Sequence, residues 1–143
     1  MSDAAIRVKS LIKQKGEEDH EVEVTTLGKV YKKNGVIYVF YDESELSGMQ
    51  GTKTMLKIKE DSVHLSRSGS NVSKLTFEPK ISHESKYATP YGEFIMETTT
   101  KSIHIDVDEN LVGSIRVAYY LEIKGLSETD HILDIEILSI NES

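Results

Sequence analysis

Arg67 stands where a strand pattern asks for an apolar side chain. It continues the series Val63, Leu65, while Ser62, His64, Ser66 and Ser68 take the alternate face. A guanidinium stays protonated, so an inward Arg67 requires a carboxylate, backbone carbonyls, water or an anionic ligand; at a sheet rim it would instead snorkel to solvent. The inward phases of other segments place hydroxyls at Ser10, Thr26, Thr52, Thr54, Thr98, Thr100 and Tyr119. An unpaired buried hydroxyl costs about 1 to 3 kcal/mol, so a dry core would hold Val, Ile or Leu there. A hydrated or ligand-holding interior satisfies such groups, and so does pairing between threonines across a sheet. The chemistry on offer is recognition of a polar or anionic group, with Arg67, Thr98 and Tyr119 as ligand-binding candidates.

Catalytic and metal patterns are weaker. Serines and five histidines occur without a Gly-x-Ser-x-Gly elbow. None of His64, His83, His104 and His131 has a second histidine at i, i+2, and they read as exposed residues rather than ligands. His104, Asp106 and Asp108 alternate along one strand face, where a solvated outer surface accounts for them as well as a cation would. Gly48, Gly51, Gly69 and Gly113 stand singly in turns, not in a phosphate-cradling loop. No catalytic residue, metal or cofactor is expected.

The elements that must carry these residues are strands. Apolar residues recur with period two: Ile6, Val8 and Ile12 against Arg7, Lys9 and Lys13, then Val22, Val24, Gly28 and Val30 against Glu21, Glu23, Lys29 and Lys33. Asn34-Gly35, which tolerates the positive φ of a type I′ turn, leads into the apolar run Val36 to Tyr41 and predicts a tight hairpin. Further strands are predicted over Thr52 to Lys59, Ser62 to Ser68, Val72 to Glu78, Glu93 to Thr100, Ile103 to Val107, Ser114 to Lys124 and His131 to Ile140. One helical turn is allowed around Ser44 to Leu46. Roughly eight to ten strands in one small domain must hide their edges, which predicts an all-β, antiparallel, closed or nearly closed barrel.

At 143 residues the chain is the length of one domain, taken as residues 1–143, and its 38% hydrophobic and 29% charged residues are ordinary for a soluble globular protein. The absence of cysteine suits a reducing compartment, so a cytoplasmic location is expected. Charges at Arg7, Lys9, Lys13 and Lys15 break any apolar N-terminal run, which argues against a signal peptide or membrane span. The net charge of −7, from 24 acids against 17 bases, disfavours nucleic acid as a partner.

Ser82 to Gly92 reads as a turn-rich loop. Its peptide TPYGEF restricts Thr89 ahead of Pro90, frees the backbone at Gly92 and launches a strand. Tyr87 and Tyr91 are expected at the barrel mouth, as further ligand-binding candidates. With the blocks TKTMLKIKEDSVHLSRSG (Thr52 to Gly69), KLTFEP (Lys74 to Pro79), YATPYGEF (Tyr87 to Phe94) and YYLEI (Tyr119 to Ile123), the chain resembles the YwiB-like bacterial proteins. That resemblance implies a calycin-like β-barrel related in shape to lipocalins, in a family without an assigned activity. Calycin barrels often hold small hydrophobic or amphipathic ligands, which by analogy of fold points to a non-enzymatic module for a small amphipathic or anionic molecule. The competing expectation is a protein-interaction module, or a homodimer, acting through the 82–92 loop or a barrel edge.

Overall fold

In the computed structural model, which describes residues 2–44 and 49–140, ten strands follow one another along the chain. They are β1 (Ser2–Lys13), β2 (His20–Lys33), β3 (Val36–Asp42), β4 (Thr52–Ile58), β5 (Val63–Gly69), β6 (Val72–Phe77), β7 (Ser82–Thr89), β8 (Gly92–Val107), β9 (Gly113–Ile123) and β10 (Ser127–Leu138). Each pairs antiparallel with its neighbour in sequence, and β10 pairs with β1 from Ala5↔Leu138 to Lys13↔Asp130, closing the barrel. Closure satisfies every edge strand internally, the outcome that so many half-buried strands require. No helix occurs among the described residues; the turn expected around Ser44 to Leu46 runs into positions outside them.

Period-two alternation decides what lies inside. The inward residues of the end where β2 meets β3 are apolar and sealed: Ile6, Val39, Leu56, Val63, Phe77, Ile115, Ile135 and Ile137 are fully buried. This half is the dry core. At the opposite end, where odd-numbered strands finish and even-numbered strands begin, the inward positions turn polar.

Asn34 and Gly35 adopt φ of 53° and 79°, the tight hairpin turn expected of that dipeptide. Gly113 opens β9 with φ of 155°, and a Cβ there would lie 2.0 Å from the backbone oxygen of Asp106. Gly113→Ala is therefore expected to lower stability by about 1–3 kcal/mol by prising β9 from β8, read as a lower urea midpoint at unchanged slope.

Two expectations are corrected. Ser82 to Thr89 is a strand, not a loop: β7 pairs with β8 from Ser82↔Thr99 to Thr89↔Gly92, leaving Pro90 and Tyr91 as the turn. Thr89 Oγ1 holds that turn, accepting from the Tyr91 N–H at 3.0 Å and donating to the Gly92 carbonyl at 3.2 Å. Second, the segments on either side of Lys101 form one strand, β8, with a bulge between Thr100 and Ser102. The extra residue inverts the phase, so Met96, Thr98 and Thr100 point inward before it and Ile103 and Ile105 after it. The seam between β6 and β7 is short, with only Val72↔Ala88 and Ser73↔Tyr87 in register.

Candidate functional site

The polar half of the barrel encloses a cavity of about 490 Å³ that reaches the surface past Ile12, His20 and Val22. Val8, Val24, Leu75, Met96, Leu121 and Leu133 form its apolar wall. Strand register arranges the inward residues around it in two mostly polar arcs. One crosses five strands as Tyr41, Thr54, Arg67, Ser73 and Tyr87. The other, on the facing wall, runs Thr100, Tyr119, His131 and Ile12.

Arg67 points inward and lines the cavity, its side chain 18% exposed. Its Nε lies 3.6 Å from Glu43 Oε2, an ion pair too long for a hydrogen bond, and this buried nitrogen has no hydrogen-bond partner. Glu43, its side chain 6% exposed, is fixed by Thr54, whose hydroxyl donates to Oε2, and by its own backbone N–H, which donates to the Thr52 carbonyl at 2.8 Å. The inward arginine thus meets a protein acid through Nε while its side chain lines the cavity.

Tyr41 and Tyr119 are buried beside it, and burial pushes both phenols above their ordinary pKa against the opposing pull of Arg67. They remain neutral donors. The His131 ring stacks on Tyr119, with centroids 4.7 Å apart and planes 6° from parallel, and its Nε2 sits 2.7 Å from Thr129 Oγ1. Burial holds this imidazole down at about 4, with Asp130 opposing and Arg67 reinforcing the shift. At neutral pH it is uncharged, and the acids that line the cavity with Arg67 are Asp42 and Glu43.

Tyr87 lines the cavity and its hydroxyl accepts from Asn71 Nδ2 at 2.9 Å. Asn71, buried in the turn between β5 and β6, also donates its backbone N–H to Thr52 Oγ1 at 3.1 Å, which accounts for that inward threonine. Ser10 and Thr26 line the cavity. Thr98 and Thr100 are buried with unpartnered hydroxyls, but they lie below the cavity rather than on its lining. Tyr91 is 94% exposed at its turn and does not reach the cavity.

Glu43, Tyr41, Asn71 and His131 escaped sequence reasoning. Tyr41 and His131 carried the same signal as Arg67, since each continues an apolar phase: Ile37 and Val39 before Tyr41, Leu133 and Ile135 after His131. His131 is accordingly inward, not surface-exposed. Glu43 and Asn71 lie in connections, where no periodicity marks a direction.

Elsewhere, Ser62 Oγ approaches His64 Nε2 at 3.4 Å, but the neighbouring acid, Glu78, bonds His83 at 2.9 Å, so no Ser-His-acid chain forms there. Asp108 is occupied by its own turn, accepting from the backbone N–H groups of Asn110 and Val112, and does not extend the His104 and Asp106 row.

A family described as a domain of unknown function, DUF1934, matches residues 6–135. The uncharacterized β-barrel protein YwiB of Bacillus subtilis strain 168 is 33% identical over 131 residues, 91% of this chain and 89% of that protein. The crystal structure of the YwiB protein from Bacillus subtilis matches with a TM-score of 0.79 and 27% identity, over 98% of this chain and 93% of that chain. Agreement in sequence and in fold over nearly the full length leads to one assignment: the chain belongs to the DUF1934 family of YwiB-like β-barrel proteins.

Proposed function

We propose that the barrel is a non-enzymatic binding module for a small amphipathic molecule, with the apolar body against Val24, Leu75 and Leu133 and a polar, oxygen-bearing end at Arg67. The carrying observation is the open cavity of about 490 Å³ with the Arg67 guanidinium on its wall, 3.6 Å from Glu43 and hydrogen-bonded to none of the described residues. That volume falls in the range of small-ligand sites, about 300–1,000 Å³. A carboxylate or sulfonate oxygen is the acceptor that best completes Arg67, while the neutral phenols of Tyr41 and Tyr119 flank it as further donors.

The test uses the anionic fluorophore 1-anilinonaphthalene-8-sulfonate with the native chain. Saturable 1:1 enhancement is expected, weakened about tenfold or more in Arg67→Met because a charge-assisted hydrogen bond is lost. Leu75→Trp, which fills the cavity, should abolish it. Enhancement that is unsaturable, or indifferent to both substitutions, would overturn the reading.

A further inference from the structure

The outer wall of β2 to β6 carries two rows of side chains running across the strands. Register aligns Tyr31, Tyr38, Lys57, His64 and Thr76 in one, and Lys29, Phe40, Met55, Ser66 and Lys74 in the next. With neighbouring strands about 4.8 Å apart, each row is about 19 Å long. Tyr31 and Tyr38 stack with centroids 4.6 Å apart and planes 9° from parallel; Phe40 stacks on Tyr31 at 5.9 Å. Lys57 Nζ sits 6.0 Å from the centre of the Tyr38 ring. Beyond it, a surface pocket of about 200 Å³ gathers Lys57, Lys59, Lys74 and His64 with the hydroxyls of Ser66 and Thr76.

Lys29 pairs with Asp3 at 2.5 Å, but among the described residues no carboxylate pairs with Lys33, Lys53, Lys57, Lys59 or Lys74. The acids of this side are Glu21 and Glu23 at the start of β2, Asp42 at the end of β3, and Glu60 with Asp61 in the turn after β4; Glu21 pairs with Lys9 at 3.8 Å and Glu78 is taken by His83, so the middle of the two rows holds lysines without acids. Burial, with Lys59 and Lys57, lowers the pKa of His64, opposed by Glu78. On the opposite wall Arg7, Lys9, Lys101 and Arg116 are each paired with an acid, and Glu84, Glu97, Glu122 and Glu128 form an acidic row across β7 to β10. The net charge of −7 is therefore concentrated away from the aromatic wall, and its average is a poor guide to what that wall attracts.

We propose that the wall of β2 to β6 binds single-stranded nucleic acid, whose bases extend the ring column of Tyr31, Tyr38 and Phe40 and whose phosphates are held by Lys57, Lys59 and Lys74. Stacked rings beside unpaired lysines are the two components of a sequence-tolerant single-strand platform. Charge alone would also admit the acidic wall of a second copy. That wall offers carboxylates and the single ring of Tyr120, whose hydroxyl is held by Glu128, against a column of three rings.

The experiment is fluorescence anisotropy of a labelled oligouridylate of about 12 nucleotides against the full chain at low salt. Saturable binding is expected, with log affinity falling against log salt at a slope of about −2 for three phosphate contacts. The double substitution Lys57→Gln/Lys74→Gln should weaken binding tenfold or more and flatten the slope to about −0.7. Tyr38→Leu, or Phe40→Leu if the first is not folded by circular dichroism, should weaken it about tenfold at unchanged slope. No saturable change, binding of a matched duplex as tight as the single strand, or heparin competition with no loss in the aromatic variants would overturn the proposal. So would concentration-dependent self-association abolished by the lysine substitutions without any oligonucleotide binding.

Discussion

Phe77→Ala is expected to lower the unfolding free energy by about 3–5 kcal/mol, the range for removing a fully buried phenylalanine. Phe77 is 0% exposed and lies beneath the cavity, its ring 4.6 Å from that of Tyr119 and tilted by 46°. Two losses add together. The apolar transfer term disappears, and the floor beneath Tyr119 is replaced by a void that a closed sheet collapses poorly, because each strand is held by a neighbour on both sides. Urea unfolding followed by circular dichroism should show the midpoint falling while the slope is retained. Phe77→Leu, which leaves most of the volume in place, should recover more than half of the loss. Equal midpoints for wild type and Phe77→Ala would mean that the dry half of the barrel does not carry its stability.

Acidification should destabilise the protein well before the carboxylates titrate. His131 is held down at about 4 from an ordinary 6.5, principally by burial. Above pH 6.5 it is neutral in both folded and unfolded chains, so its contribution is fully present. As pH falls from 6.5 toward 4 the unfolded chain takes up a proton that the folded barrel refuses, and stability drops; below about 4 both forms are protonated and the effect stops growing. The total is on the order of 2–3 kcal/mol after allowing for the partial exposure of the ring. His64, lowered first by burial and then by Lys59, adds in the same direction. Thermal melts across this window should show a steeper fall for the wild type than for His131→Gln, the difference levelling off near pH 4. Parallel curves would show that His131 protonates equally well in the folded state.

The barrel was legible because it is built almost wholly from one signal, the alternation of apolar and polar residues. The same signal turned Arg67 inward through Val63 and Leu65, and the chemistry of Asn-Gly supplied the turn at Asn34 and Gly35. β7 was hidden because Ser82, His83, Glu84, Ser85 and Lys86 are polar on both faces. Such a strand survives where its short seam with β6 spares it from closing a dry core. β8 was divided because a bulge at Lys101 inverts its phase, and a phase inversion read along the chain looks the same as the end of a strand. The partner of Arg67 was hidden for a different reason. Glu43 comes from a connection, and only register places it over Thr54.

Because every strand pairs with the one made just before it, nearly all of the sheet is assembled in the order of synthesis, and the contact between β1 and β10 is the exception. A nascent chain that has emerged through β9 is an open ribbon whose first and last strands both present unpaired backbone. The ribosome therefore holds the barrel at its most association-prone stage until Ser127–Leu138 clears the exit tunnel. The seal runs along a register of nine residue pairs, Ala5 to Lys13 against Leu138 to Asp130. Translation pauses upstream of Ser127 would prolong that exposure, whereas pauses after Leu138 would not, which makes the timing of the final strand a determinant of yield distinct from the stability of the finished barrel.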